Sequence, residues 1–391
     1  MQAQAILNDD DAFGHGGGAR GLTGAPSALR RLASLSPPAV FLWLPAAGFL
    51  PTPAHAHVKW FEPYDVTSAP VPVSFVLTQH FLLALLGFTL LLAGSFLFDR
   101  LVATKGRVLA APGGREDLEE RVVRAGTGAF FMALFATGGV ILTPELRTGA
   151  DWPAWLQLGI AVSMLSSRTC VLGAGGILVL YSLGVAQYGV FHLSDYPMFI
   201  GLALYLGLTS FSSERLRSRR MLILHASICI SLMWGAVEKW AYPQWTFPLL
   251  AERPYLTFGM APADFMVVAG FVEFAFAFYI LTGFGLLRLA ILGLGTIFAA
   301  AILDFGKVDA IGHMPILVAF AAMFMHGPTQ LNLWLHDNSA GVFAKARTAG
   351  TAFATTVFLF FATYYGLQYA EYGRAAHNHT VAVSAAPART L

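Results

Sequence analysis

Apolar residues in this chain come in long unbroken runs, not in the strict alternation of a half-buried strand. Ten runs stand out, at approximately 73–98, 125–143, 153–167, 170–188, 196–212, 221–241, 263–285, 287–303, 313–327 and 350–370. Apart from the short third run, they approach the ~20 residues that, at a rise of ~1.5 Å each, cross the ~30 Å hydrocarbon core of a bilayer. The pattern predicts an all-α fold, a polytopic transmembrane helical bundle of about ten helices.

Polar positions matter most where they interrupt these runs. Between Arg220 and Gly327 four segments carry charge that lipid does not readily accept. The first ends in Trp234-Gly235-Ala236-Val237-Glu238-Lys239-Trp240, and the next holds Glu273 about ten residues inside. The third closes on Asp304-Phe305-Gly306-Lys307-Val308-Asp309, and the fourth opens with Gly312-His313-Met314-Pro315. An ionisable group in hydrocarbon costs several kcal/mol, so such residues face a bundle interior and mark function. Ser227, Ser231, Trp234 and Glu238 share one helix face, at spacings of four, three and four.

Lys and Arg set the orientation. Fourteen lie in one set of alternate connections (Arg100 to Arg124, Arg168, Arg215 to Arg220, Arg288, Lys345 and Arg347) and seven in the other (Lys59, Arg147, Lys239, Arg253, Lys307, Arg374 and Arg389). The first set is placed in the cytoplasm and both termini of the mature chain outside. The start agrees: Arg30-Arg31, a short apolar run over Ala39 to Leu50, then Pro53-Ala54-His55-Ala56 read as an export signal cut before His57. An uncleaved anchor is the alternative. The expected organisation is a leader (1–56), an arm (57–72), a first helix with its connection (73–124), a four-helix block (125–212), a second block (213–327), and a last helix with its tail (328–391).

Composition sharpens the class. The 391 residues are 56% hydrophobic and 12% charged, about half the charged share of soluble domains, which places the chain in the lipid bilayer. A net charge of +2 argues against a nucleic-acid partner. Cys170 and Cys229 are far apart and read as small buried residues. No phosphate loop, dinucleotide fingerprint, nucleophile elbow or zincin motif is present. The run Arg115 to Arg124 reads as a short surface helix, and the aromatic connection Tyr242 to Asp264 as interfacial anchoring or a lid.

An internal echo links the two blocks. Tyr188-Gly189 followed by His192, Asp195, Tyr196 and Pro197 resembles Phe305-Gly306 followed by Asp309, His313, Met314 and Pro315. Both fall at the third-to-fourth helix junction of a block, so the blocks read as tandem repeats, the second carrying the intramembrane acids.

That second block, at Arg219-Arg220, Gly235 to Lys239, Ala269-Gly270-Phe271-Val272-Glu273, Leu281-Thr282-Gly283, Arg288 and Gly312-His313, resembles the DoxX-like membrane family. His57-Val58-Lys59-Trp60-Phe61 is similar to the mature start of some of its bacterial members. The resemblance covers about a quarter of the chain; the leading block and the first and last helices depart from the small members. It implies quinone-linked redox or assembly work beside membrane or periplasmic redox partner subunits. Glu238, Glu273, Asp304 and His313 are then the candidate proton-handling residues, with Trp234, Lys239 and Lys307 contacting a bound quinone. An ion-paired network that only ties helix ends is the competing reading. A chain beginning at His57 also offers an amine–imidazole chelate for copper, to which His192, His313, or the His377–His379 tail would add a ligand. A structural subunit of a larger complex is the third reading.

Overall fold

The computed structural model describes residues 58–62, 64–105, 116–336 and 341–373. It is helical throughout, with one isolated bridge between Val140 and Arg147. Ten main helices stand where ten apolar runs are read: α1 Gln79–Lys105, α2 Glu116–Thr137, α3 Trp152–Ser163, α4 Cys170–Tyr188, α5 Pro197–Thr209, α6 Arg220–Ala241, α7 Pro262–Thr282, α8 Leu287–Phe305, α9 Lys307–His326 and α10 Val342–Gln368.

Among the described residues seven helical stretches are long and apolar enough to cross a membrane: α1, α4 and α6 to α10. This is a multi-pass membrane protein. The other three depart from the expected spans for physical reasons. With 12 and 13 residues, α3 and α5 rise only ~18–20 Å. The irregular chain around them is satisfied internally: Gln157 on α3 donates to the carbonyls of Val140 and Ile141, which lets non-helical backbone exist inside a bundle. In α2 the expected surface helix and the next span are one helix, whose Glu119 and Glu120 are buried rather than solvated.

Glycine and proline set several boundaries. Pro197 and Pro262 sit in the first turns of α5 and α7, where a missing N–H costs nothing. The helices α4 and α8 both stop at a glycine with positive φ, Gly189 (86°) and Gly306 (73°), a backbone that residues with a Cβ rarely adopt. These are the two glycines of the sequence echo, so the repeated letters mark a repeated turn.

Helices α2 to α9 pack in chain order, each against the next, and α9 returns to α2, closing a ring; α6 and α9 also meet across it. Outside the ring α1 packs on α7 and α10, and α10 reaches α6. One end of the bundle collects Lys59, Asp195, Glu238 and His313, hereafter the arm end. The other, the arginine end, collects Arg124, Arg217, Arg220 and His326.

Candidate functional site

The arm over the mouth of the ring decides the site. Its second half is pinned by backbone: Val71 N–H donates to the Ala241 carbonyl, Tyr242 and Gln368 donate to Ser68, and Tyr365 donates to Val71. Its first half, a single 3-10 turn over Val58–Trp60, reaches inward. Gly312 on α9 makes that approach possible, since a Cβ there would meet the Trp60 ring at 2.1 Å. Trp60 lies 4.8 Å from the His313 ring, and Phe61 5.1 Å from Phe305.

Lys59 is thereby buried, its ammonium 2.5 Å from both Asp195, just before α5, and Glu238, near the end of α6. Tyr64 and Trp245 place their rings 5.5 and 5.4 Å from it. Burial alone would lower the Lys59 pKa, but the two carboxylates outweigh it and hold the group charged. One ammonium does not satisfy two carboxylates, and burial pushes Asp195 up to about 7 against the pull of Lys59. Glu145, in the α2–α3 connection, is also raised by burial, and it accepts from Tyr196.

Two further pairs stand beside this cluster. Lys239 meets Glu273 at 2.6 Å, tying α6 to the middle of α7, and His313 Nδ1 meets Asp309 at 2.9 Å one turn earlier on α9. Glu238, Lys239, Glu273 and His313 all line one cavity, with Trp60 and Asp195, under apolar walls from Leu249, Leu250, Leu256 and Phe265. Its room for water-sized occupants is about 70 Å³, enough for about two waters at ~30 Å³ each. The connection after Tyr242 lines it with Trp245 and Leu249, and Trp245 stacks on Tyr242 at 4.0 Å.

The other expected residues fall elsewhere. Asp304 accepts from Tyr255 at 3.0 Å, outside the cavity lining, and Lys307 is exposed. Trp234 is buried against Tyr364 and Phe191, away from that lining. His192 is also buried, 3.3 Å from the Tyr64 hydroxyl; burial and the Lys59 charge push its pKa down to about 3, so it stays neutral. His57, His377, His379 and the export signal lie outside the described residues. Among the described residues no three His, Cys, Asp or Glu side chains gather to hold a metal ion.

Sequence reasoning missed Lys59, Asp195 and Glu145 as site members. The echo had flagged Asp195 and Asp309, and in the fold its two copies grip the arm from opposite sides, Asp195 on Lys59 and His313 on Trp60. Glu145 gave no signal, being a lone acid in a connection. No protein-family model, curated protein or solved structure matches the chain.

Proposed function

We propose that the protein is a quinone-linked redox accessory subunit of a bacterial inner membrane, whose cavity faces the periplasm and takes the head group of a quinol. The observation that carries this is the convergence on one largely apolar cavity of a carboxylate-held imidazole, Asp309–His313, and a carboxylate-held ammonium, Lys239–Glu273. A quinol releases two protons and two electrons on oxidation, and the electrons would pass to a partner redox subunit. With Nδ1 engaged by Asp309, His313 has Nε2 left to accept a proton. Glu238 is placed to take the second, and Lys239 to orient the ring oxygen. A quinone ring needs more room than a few waters, so Trp60 and Lys59 must withdraw to admit it. The excess of Lys and Arg at the arginine end supports the orientation, and the DoxX-like resemblance supports the quinone link.

The test is quinone binding by the purified full-length protein in lipid, followed by tryptophan quenching. Wild type should bind a short-chain quinone, and His313→Gln should bind it about tenfold more weakly, a loss of ~1.4 kcal/mol. No binding by wild type, or equal binding by a folded His313→Gln, ends the proposal.

A further inference from the structure

At the arginine end the first helices of the two blocks are joined through one carboxylate, and the guanidinium of Arg217 there offers more donors than its described partners take up. Glu120 on α2 faces Arg124 of its own helix at 3.4 Å, Arg217 of the turn before α6 at 3.4 Å, and Arg220 at the start of α6 at 3.0 Å. Each guanidinium offers five N–H donors, whereas a carboxylate has about four lone-pair sites. Arg124 gives one further donor to the Met164 carbonyl at 3.0 Å. Among the described residues Arg217 has its one 3.4 Å bond to Glu120, and its Nε is buried with no partner. The adjacent Glu119 brings no relief, because Tyr205 at 3.0 Å and His326 at 2.8 Å already occupy it.

The surroundings select the missing anion. Arg124 and Arg217 keep 16% and 29% of their side chains open. Leu165, next to the Met164 carbonyl that holds Arg124, is 82% exposed, and Phe211 and Leu216 are exposed beside the Arg217 turn. Unspent guanidinium donors at helix ends, bordered by bare apolar side chains, stand where a bilayer changes from head group to acyl chain. The planar fork of Arg matches phosphate oxygens two at a time.

We propose that Arg217, with Arg124 beside it, seats the phosphate of an anionic phospholipid whose chains lie along Leu165. Arg124 is on α2 and Arg217 on the turn that leads into α6. The bound head group therefore clamps the two at the end opposite the cavity.

Thermal unfolding of the purified full-length protein in detergent tests this, with phosphatidylglycerol, phosphatidylcholine or inorganic phosphate added. Phosphatidylglycerol should raise the Tm by about 5 °C, and phosphatidylcholine should not. Arg217→Gln should lose most of that rise, Arg217→Lys should keep part of it, and Arg219→Gln, at an exposed neighbouring site, should keep it whole. An equal rise with phosphatidylcholine, or an undiminished rise in Arg217→Gln, overturns the proposal. The full rise from inorganic phosphate overturns the lipid as its source. Should Arg217→Gln fail to fold, native mass spectrometry of wild type decides: phosphatidylglycerol retained against excess phosphatidylcholine supports the seat, and none retained removes it.

Discussion

Lys59 shows how one buried cation can set the chemistry of its neighbours. Facing both Asp195 and Glu238 at 2.5 Å, it stays charged, while burial holds Asp195 protonated to about pH 7. In the unfolded chain an aspartate loses its proton near pH 3.9. Between ~4 and 7 the folded state therefore binds the extra proton, and stability from this group, complete below pH 4, is lost as pH rises through 7. The expected result is a protonated-carboxyl infrared band in wild type that fades as pH is raised through neutrality. Asp195→Asn should lack the band and show a flatter Tm against pH over the same window. A band that persists in Asp195→Asn assigns the proton to another group.

At the scale of elements, the Lys239–Glu273 ion pair ties α6 to α7, beside the bond that Trp240 Nε1 donates to the Val267 carbonyl at 3.1 Å. Removing one partner leaves the other charge buried and unpaired, which costs about 3–5 kcal/mol for a fully buried pair. Lys239 keeps 20% of its side chain exposed, so Lys239→Met and Glu273→Gln should each fall at the low end of that range. The double variant should recover most of the loss, and unfolding of all three measures the coupling. Losses that simply add would show that the pair is not a unit. The acid and the base of this pair were both legible in the sequence because apolar runs make a charge conspicuous; their partnership was not. Glu273 sits midway along α7, and only the antiparallel docking of α6 brings Lys239 to it. The ten helices were equally legible, from length alone. The shortness of α3 was less so, because hydropathy does not tell a lipid-facing run from apolar residues buried past a helix end, as at Met164. Lys59 escaped notice because a lone lysine in a polar arm carries no pattern; burial comes from the glycine at 312, 253 residues away.

For the whole molecule the decisive feature is closure of the ring. Because α5 packs on α6 and α9 on α2, either block alone would leave two apolar faces without a helix against them. The main core, with Phe130, Phe199, Tyr205 and Met323 in it, is one cluster that runs through both blocks. The connection between the blocks is by contrast exposed from Phe211 to Leu216. A break in the chain between Ser212 and Ser213 should therefore be tolerated. Residues 1–212 and 213–391 produced together should co-purify as one particle with a Tm near that of the intact chain, since Lys59–Glu238, Arg220–Glu120 and His326–Glu119 all cross the cut. Each piece made alone should aggregate or be degraded, as a bundle with half its helix contacts missing has no enclosed core. Recovery of residues 1–212 as a monodisperse, cooperatively unfolding particle would mean that the first block closes on itself, and the arm would then have no second wall to plug.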